Sequence, residues 1–220
     1  MRALRSWLPV QRREAAQVAL LALNVFVLLT TYYVLKVVRE PLILLDGGAE
    51  VKAYASAGQA GLLLFVVPAF GAIAARRSRL QIMVSVQTFF IGCLLAFYAL
   101  SRAGVPIGIA FYLWVGVFNV LVVSNFWSFA NDLFTQEQGK RLFGVIGLGA
   151  SAGAIVGALV PGILQHHLGM FELMPITAGG LGLSTVLYAF IERTGRAPSR
   201  ATVPERLDRR GGFGLVARDR

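Results

Sequence analysis

The residues best equipped for chemistry form the run Tyr32-Tyr33-Val34-Leu35-Lys36-Val37-Val38-Arg39-Glu40-Pro41. Tyr32, Lys36 and Arg39 recur at i, i+4 and i+7, which puts them on one face if the run is helical. Two cations on one stripe can hold an anion, and an arginine can grip phosphate or carboxylate through two parallel hydrogen bonds. Glu40 follows Lys36 by one turn and can neutralise part of that charge. The same residues admit a plainer reading, because tyrosines and snorkelling cations also mark the boundary of a membrane.

A second polar stretch carries Asn119, Ser124, Asn125, Trp127, Ser128, Asn131 and Asp132 within an otherwise apolar run. Asn125 and Asp132 are seven apart and share a helical face. Asn125 and Asn131 are candidates to line a solute path. Amides in a spanning helix also serve as glue between helices. Gly149, Gly153 and Gly157 recur every four residues, which cuts a side-chain-free groove suited to close helix packing in lipid. No strand precedes them, so they do not form a dinucleotide-binding loop. His166 and His167 are adjacent, point different ways, and have no acidic or thiol partner nearby. Cys93 stands alone in an apolar run and supports neither a disulfide framework nor a metal site. With no nucleophile–base pair, paired carboxylates or metal spacing, the sequence implies no enzyme, no cofactor and no metal.

The elements that position these residues follow from composition. Of 220 residues, 56% are hydrophobic and only 15% charged, where a soluble domain carries roughly a quarter charged. Mean hydropathy is +0.67, a value that suits a bilayer. A hydrocarbon core about 30 Å thick takes about 20 apolar residues per helix. Six segments qualify: Ala15 to Val38, Tyr54 to Ala75, Leu80 to Leu100, Pro106 to Leu133, Leu142 to Leu164, and Leu173 to Ile191. The expected fold class is an all-α membrane protein, a six-transmembrane-helix bundle over 15–191. Residues 1–14 form a cytoplasmic lead, and 192–220 an Arg-rich tail or linker.

The net charge of +10 does not call for nucleic acid, because the basic residues cluster beside the apolar runs rather than on a soluble domain. With the N-terminus inside, seventeen Lys and Arg fall on the inner side. Only Lys36, Arg39, Lys52 and Arg102 fall outside. The positive-inside rule then puts both termini in the cytoplasm, in a plasma membrane of the bacterial inner type.

Two family resemblances build on these residues. Gly71-Ala-Ile-Ala-Ala75-Arg76-Arg77-Ser78-Arg79 resembles the glycine-to-arginine motif between the second and third helices of the major facilitator superfamily, with Ala75 where an aspartate is usual. More specifically, Tyr33-Val-Leu-Lys36-Val-Val-Arg39-Glu40 is similar to the first-helix signature of the ATP/ADP translocase family. Phe126-Trp127-Ser-Phe129-Ala130-Asn131 and Gln138-Gly-Lys140-Arg141-Leu-Phe143-Gly144-Val-Ile-Gly147-Leu148-Gly149-Ala150 resemble that family's later motifs, in the same order. The resemblance implies half of a major facilitator fold and a role for Lys36 in binding nucleotide phosphate, with Arg39 beside it. It also implies a glutamate early in the fourth helix, where this chain reads Trp114-Val115-Gly116-Val117.

The expected function is therefore transport of an anionic, phosphorylated solute, with ATP/ADP exchange among the candidates, by alternating access of two six-helix halves. The chain would be the N-terminal half, its 211–220 segment leading towards a seventh helix. Its partners would be membrane lipid, the anion, and a second six-helix half or another copy of itself. Two alternatives stand beside it: a facilitator-type carrier of a non-nucleotide solute, and a non-transporting membrane scaffold or accessory subunit.

Overall fold

A computed structural model of the chain describes residues 15–75, 77–164 and 168–194. His166, His167, Arg76 and the two basic ends lie outside the described residues. The described residues are all-helical, with five helices long and apolar enough to cross a membrane. They are α1 (Ala15–Ala74), α2 (Arg79–Arg102), α3 (Gly108–Phe118) continued by α4 (Ser124–Leu133), α5 (Gln136–Leu164) and α6 (Leu173–Thr194). A π-helical turn, Asn119–Val123, joins α3 to α4, and a 3-10 turn, Met170–Glu172, leads into α6. By length and composition this is an integral membrane bundle.

A straight helix as long as α1 would extend about 90 Å, three times the hydrocarbon thickness. It is not straight. Gly48 has φ 71° and ψ −169°, a left-handed backbone that side chains resist, and it divides α1 into arms 15–47 and 49–74. The partners of these arms on α3 give their directions. In the first arm Leu42 meets Gly108, Arg39 meets Tyr112 and Tyr32 meets Phe118, so the two run antiparallel. In the second arm Ser56 meets Tyr112 and Gln59 meets Gly116, so the two run parallel. The chain therefore doubles back at Gly48.

The other pairs extend the pattern. α5 runs parallel to the first arm, because Gly149, Gly153 and Gly157 meet Ala22, Phe26 and Thr30 in that order. α6 runs antiparallel to the first arm, with Ser184 on Asn24 and Gly180 on Thr31. It is also antiparallel to α2, with Ser184 on Gln87 and Glu172 on Tyr98. Phe90 beside Phe118 and Phe97 beside Phe111 set α2 against α3. Direction thus alternates at each step along the chain.

Helix ends depart from the hydropathy boundaries for a physical reason: a charge ends an apolar run without ending a helix, since Lys, Arg, Glu and Gln are good helix formers. The first arm continues past Val38 to residue 47, and the second begins at 49 rather than Tyr54. α5 begins at Gln136, six residues before Leu142. There Thr135 and Gln138 form reciprocal side-chain-to-backbone bonds (3.4 and 3.0 Å) that satisfy the first turn. Ser78 and Gln81 start α2 in the same way.

Two features hold the bundle. Phe90, Phe97, Phe111, Trp114 and Phe118 form a continuous aromatic packing between α2 and α3, mostly edge-to-face, with ring centroids 5.1–5.7 Å apart. Across three helices, Gln87 donates to the Ser184 hydroxyl (2.9 Å), which donates to the Asn24 carboxamide (2.5 Å). Asn24 and Ser184 are completely buried, so this chain of bonds fixes rotation where lipid offers no partner.

Candidate functional site

The first arm of α1 is helical through the whole Tyr32–Pro41 run, so Tyr32, Lys36 and Arg39 do share a stripe. Each neighbour holds a different part of it. Tyr32 is buried and stacks on Phe118, with centroids 6.3 Å apart. The Arg39 guanidinium lies 4.5 Å from the centre of the Tyr112 ring, and its side chain is only 13% exposed. Tyr33 turns towards α5, where its Cβ abuts Gly157. Lys36 occupies the strip between the α3 contacts and the α5 contacts, its ammonium 5.2 Å from the Tyr33 ring.

The Gly48 turn completes the arrangement. It brings Lys52 of the second arm onto the Glu40 carboxylate, which also approaches Arg39 Nε at 3.5 Å. Ser56 shares a 2.9 Å hydrogen bond with the Tyr112 hydroxyl, fixing the ring under Arg39. One turn on, the Gln59 carboxamide fills the space left by the missing side chain of Gly116. Its Oε1 is buried without a hydrogen-bond partner, as is Arg39 Nε. In the Trp114–Val117 stretch, then, a neutral amide stands on the helix face towards the site and no carboxylate does.

Asp46 belongs to the framework of this end. α3 has no side-chain cap of its own at Ile107, and Asp46 Oδ2 instead accepts the Gly108 N–H at 2.5 Å. A carboxylate at a helix N-terminus is favourable for both hydrogen bonding and the helix dipole. Sequence spacing could not reveal this cap, because donor and acceptor are 62 positions apart.

The α4 candidates are not brought to Lys36. Asn125 faces α2 and α6 in a small cavity lined by Met83, Val86, Gln87, Val122 and Tyr188, its Nδ2 unpartnered. Asn131 is exposed beside Phe134, Thr135, Gly139 and Lys140. At 1.5 Å per residue, it is about 28 Å along the α3–α4 axis from Tyr112. Asp132 pairs there with Arg79, joining α4 to the start of α2. The physical reason is axial: the Asn stretch lies below the π-turn, and the cations lie near the opposite end.

No protein-family model, curated protein or solved structure matches this chain. What the geometry offers is a cationic cluster set against aromatic rings. Among the described residues Lys36 has no carboxylate within ion-pair distance, and no group of three or more His, Cys, Asp or Glu is placed to hold a metal ion.

Proposed function

We propose that this chain is one half of a membrane transporter for an anionic, phosphorylated solute. In this reading the two arms of α1 are separate crossings, which with α2, α3–α4, α5 and α6 make six. Their alternating direction supports that count, and both termini would then share the cytoplasmic side of a bacterial inner membrane. The architecture would be a major-facilitator-like half, closed over Lys36 by a second six-helix half or a second copy. The kinship we favour is with the ATP/ADP translocases, on the Tyr33–Glu40 and Phe126–Ala150 motifs.

One observation carries this reading: Lys36 and Arg39 sit on a helix of spanning length, Arg39 is largely covered against the Tyr112 ring of α3, and Lys36 is against the Tyr33 ring. If an arm of roughly 50 Å were centred on a 30 Å core, Lys36 and Arg39 would fall inside the hydrocarbon, towards one edge of it. Ionisable groups at such depth face the bundle interior and mark solute paths. An approaching anion would meet Lys36 first and then the Arg39 fork, with Tyr33 and Tyr112 as walls. Alternating access would follow from motion of α5 along α1, whose backbones touch through Gly149, Gly153 and Gly157. The neutral Gln59–Gly116 contact favours a carrier of phosphorylated anions in general as the second reading, ahead of strict nucleotide exchange.

Exchange of labelled ATP, ADP and phosphate in proteoliposomes tests the proposal. Lys36→Ala and Arg39→Ala are each expected to lower uptake at least tenfold. Unchanged uptake in both would remove the site.

A further inference from the structure

Asn125 sits at the start of α4, just past the π-helical turn, and its Nδ2 is buried with no hydrogen-bond partner among the described residues. It adjoins a small cavity between α2, α4 and α6, whose other lining residues are Met83, Val86, Gln87, Val122 and Tyr188. Met83, Gln87, Val122 and Tyr188 are each no more than 4% exposed. On spanning helices lipid offers no partner for such an N–H, and leaving the bond unmade is costly. Gln87, on the same lining, belongs to a bonded chain. Its Nε2 donates to Ser184 (2.9 Å), Ser184 donates to Asn24, and its Oε1 accepts from Thr185. A carboxamide oxygen has two lone pairs, so Gln87 Oε1 can accept once more.

We propose that this cavity holds one water molecule, which accepts from Asn125 and donates to Gln87. Size, charge and hydrogen-bonding capacity agree on that occupant. A volume of about 10 Å³ is open to a water's centre, about the least that accommodates one water. No residue of the lining is charged, and burying an ion there without a counter-charge would be prohibitive. Water both donates and accepts, so it satisfies the Asn125 amide in either of its two orientations. The consequence is structural and does not depend on the transport reading. The water ties α4 into the chain of bonds that runs through α2 and α6 to Asn24 on α1, so four helices are held as one hydrogen-bonded unit just beyond the π-helical turn.

Hydroxyl-radical footprinting by X-ray pulses, read by mass spectrometry on the full-length protein in detergent, tests this. The radicals arise from water itself, so a side chain is oxidised only where a water lies beside it. Met83 lines the cavity, whereas Met174 is completely buried in the core away from it. In the native protein Met83 is expected to oxidise severalfold faster than Met174, with Tyr188 also modified. Asn125→Leu removes the polar partner and fills the space with apolar atoms, and Asn125→Gln pushes the amide itself into the water's place. Both should bring Met83 down to the rate of Met174.

Met174 also reports on folding, since a variant that opens the core would expose it. A leucine variant that unfolds leaves the glutamine variant to decide. Equal rates at Met83 and Met174 in the native protein would mean a dry cavity and overturn the proposal. So would fast oxidation of Met83 that persists in a folded Asn125 variant, because the water would then come from outside rather than from a site that Asn125 holds.

Discussion

Replacing Gly153 by alanine tests how closely α1 and α5 are packed. A Cβ at Gly153 would land on the Phe26 carbonyl, with the Phe26 Cα 2.9 Å and C 3.0 Å away. All three are backbone atoms, so no side-chain rotation relieves the clash and the helices must separate. Overpacking of this kind costs about 1–3 kcal/mol. Separation also stretches the Thr30 hydroxyl bond to the Gly153 carbonyl (3.2 Å), worth roughly 0.6 kcal/mol by the average for membrane helices. Against this, alanine gains up to about 1 kcal/mol of helix propensity. The net expectation is a loss of about 1–3 kcal/mol. Gly144 on the same helix supplies the control, because a Cβ there meets nothing within 4 Å. Gly144→Ala should be neutral or stabilising by up to about 1 kcal/mol. Reversible unfolding in mixed micelles with increasing dodecyl sulfate gives both values, and their difference is independent of the detergent reference. Equal stabilities for Gly153→Ala and Gly144→Ala would refute the close α1–α5 contact.

Two further perturbations probe the frame of the bundle. Asp46→Ala removes the side-chain cap that Asp46 supplies to α3 and should destabilise the bundle by about 0.5–2 kcal/mol, with faster amide exchange confined to the first turn of α3; exchange rates at Ile109 to Phe111 equal to native would show that Asp46 does not cap. Ser184→Ala takes the shared hydroxyl from between Asn24 and Gln87, at a cost of about 1–3 kcal/mol for stranding buried amides, and the paired Asn24→Leu/Ser184→Ala variant should recover part of it. Strictly additive losses in that double-mutant cycle would mean the two side chains do not interact.

How far the sequence alone reached depends on which interaction was at stake. Hydropathy found the apolar runs that the structure folds into five long apolar helices, because a bilayer reads average composition over about 20 residues and so does the eye. It misplaced the ends of the first arm and of α5, where polar helix formers carry the helix beyond the apolar run. The stripe of Tyr32, Lys36 and Arg39 was legible because helical period alone fixes which side chains share a face. Its neighbours were not. Lys52, Ser56 and Tyr112 join the site only because Gly48 reverses the chain, and the Asp-Gly-Gly sequence indicates a turn without saying which residues it superposes. Asn125 and Asn131 were drawn in by polarity, yet polarity does not report axial depth. The π-turn at Asn119–Val123 left no signal in composition at all.

The choice between an anchor at the membrane surface and a solute site turns on what holds the two cations. A cation that anchors a helix extends towards headgroups, and its length is spent on reaching water. Arg39 instead lies 4.5 Å from the centre of the Tyr112 ring, whose hydroxyl is itself tied to Ser56. A cation–π contact of this kind contributes about 1–2 kcal/mol when partly desolvated, less than the several kcal/mol of losing water. Two like charges one turn apart on the same helix face add repulsion to that cost. Glu40 offsets part of this for Arg39 but is shared with Lys52, and nothing among the described residues offsets Lys36. In the transport proposed above, a mobile negative charge would relieve that residual cost during function, and the relief would be the attraction that draws the anion in.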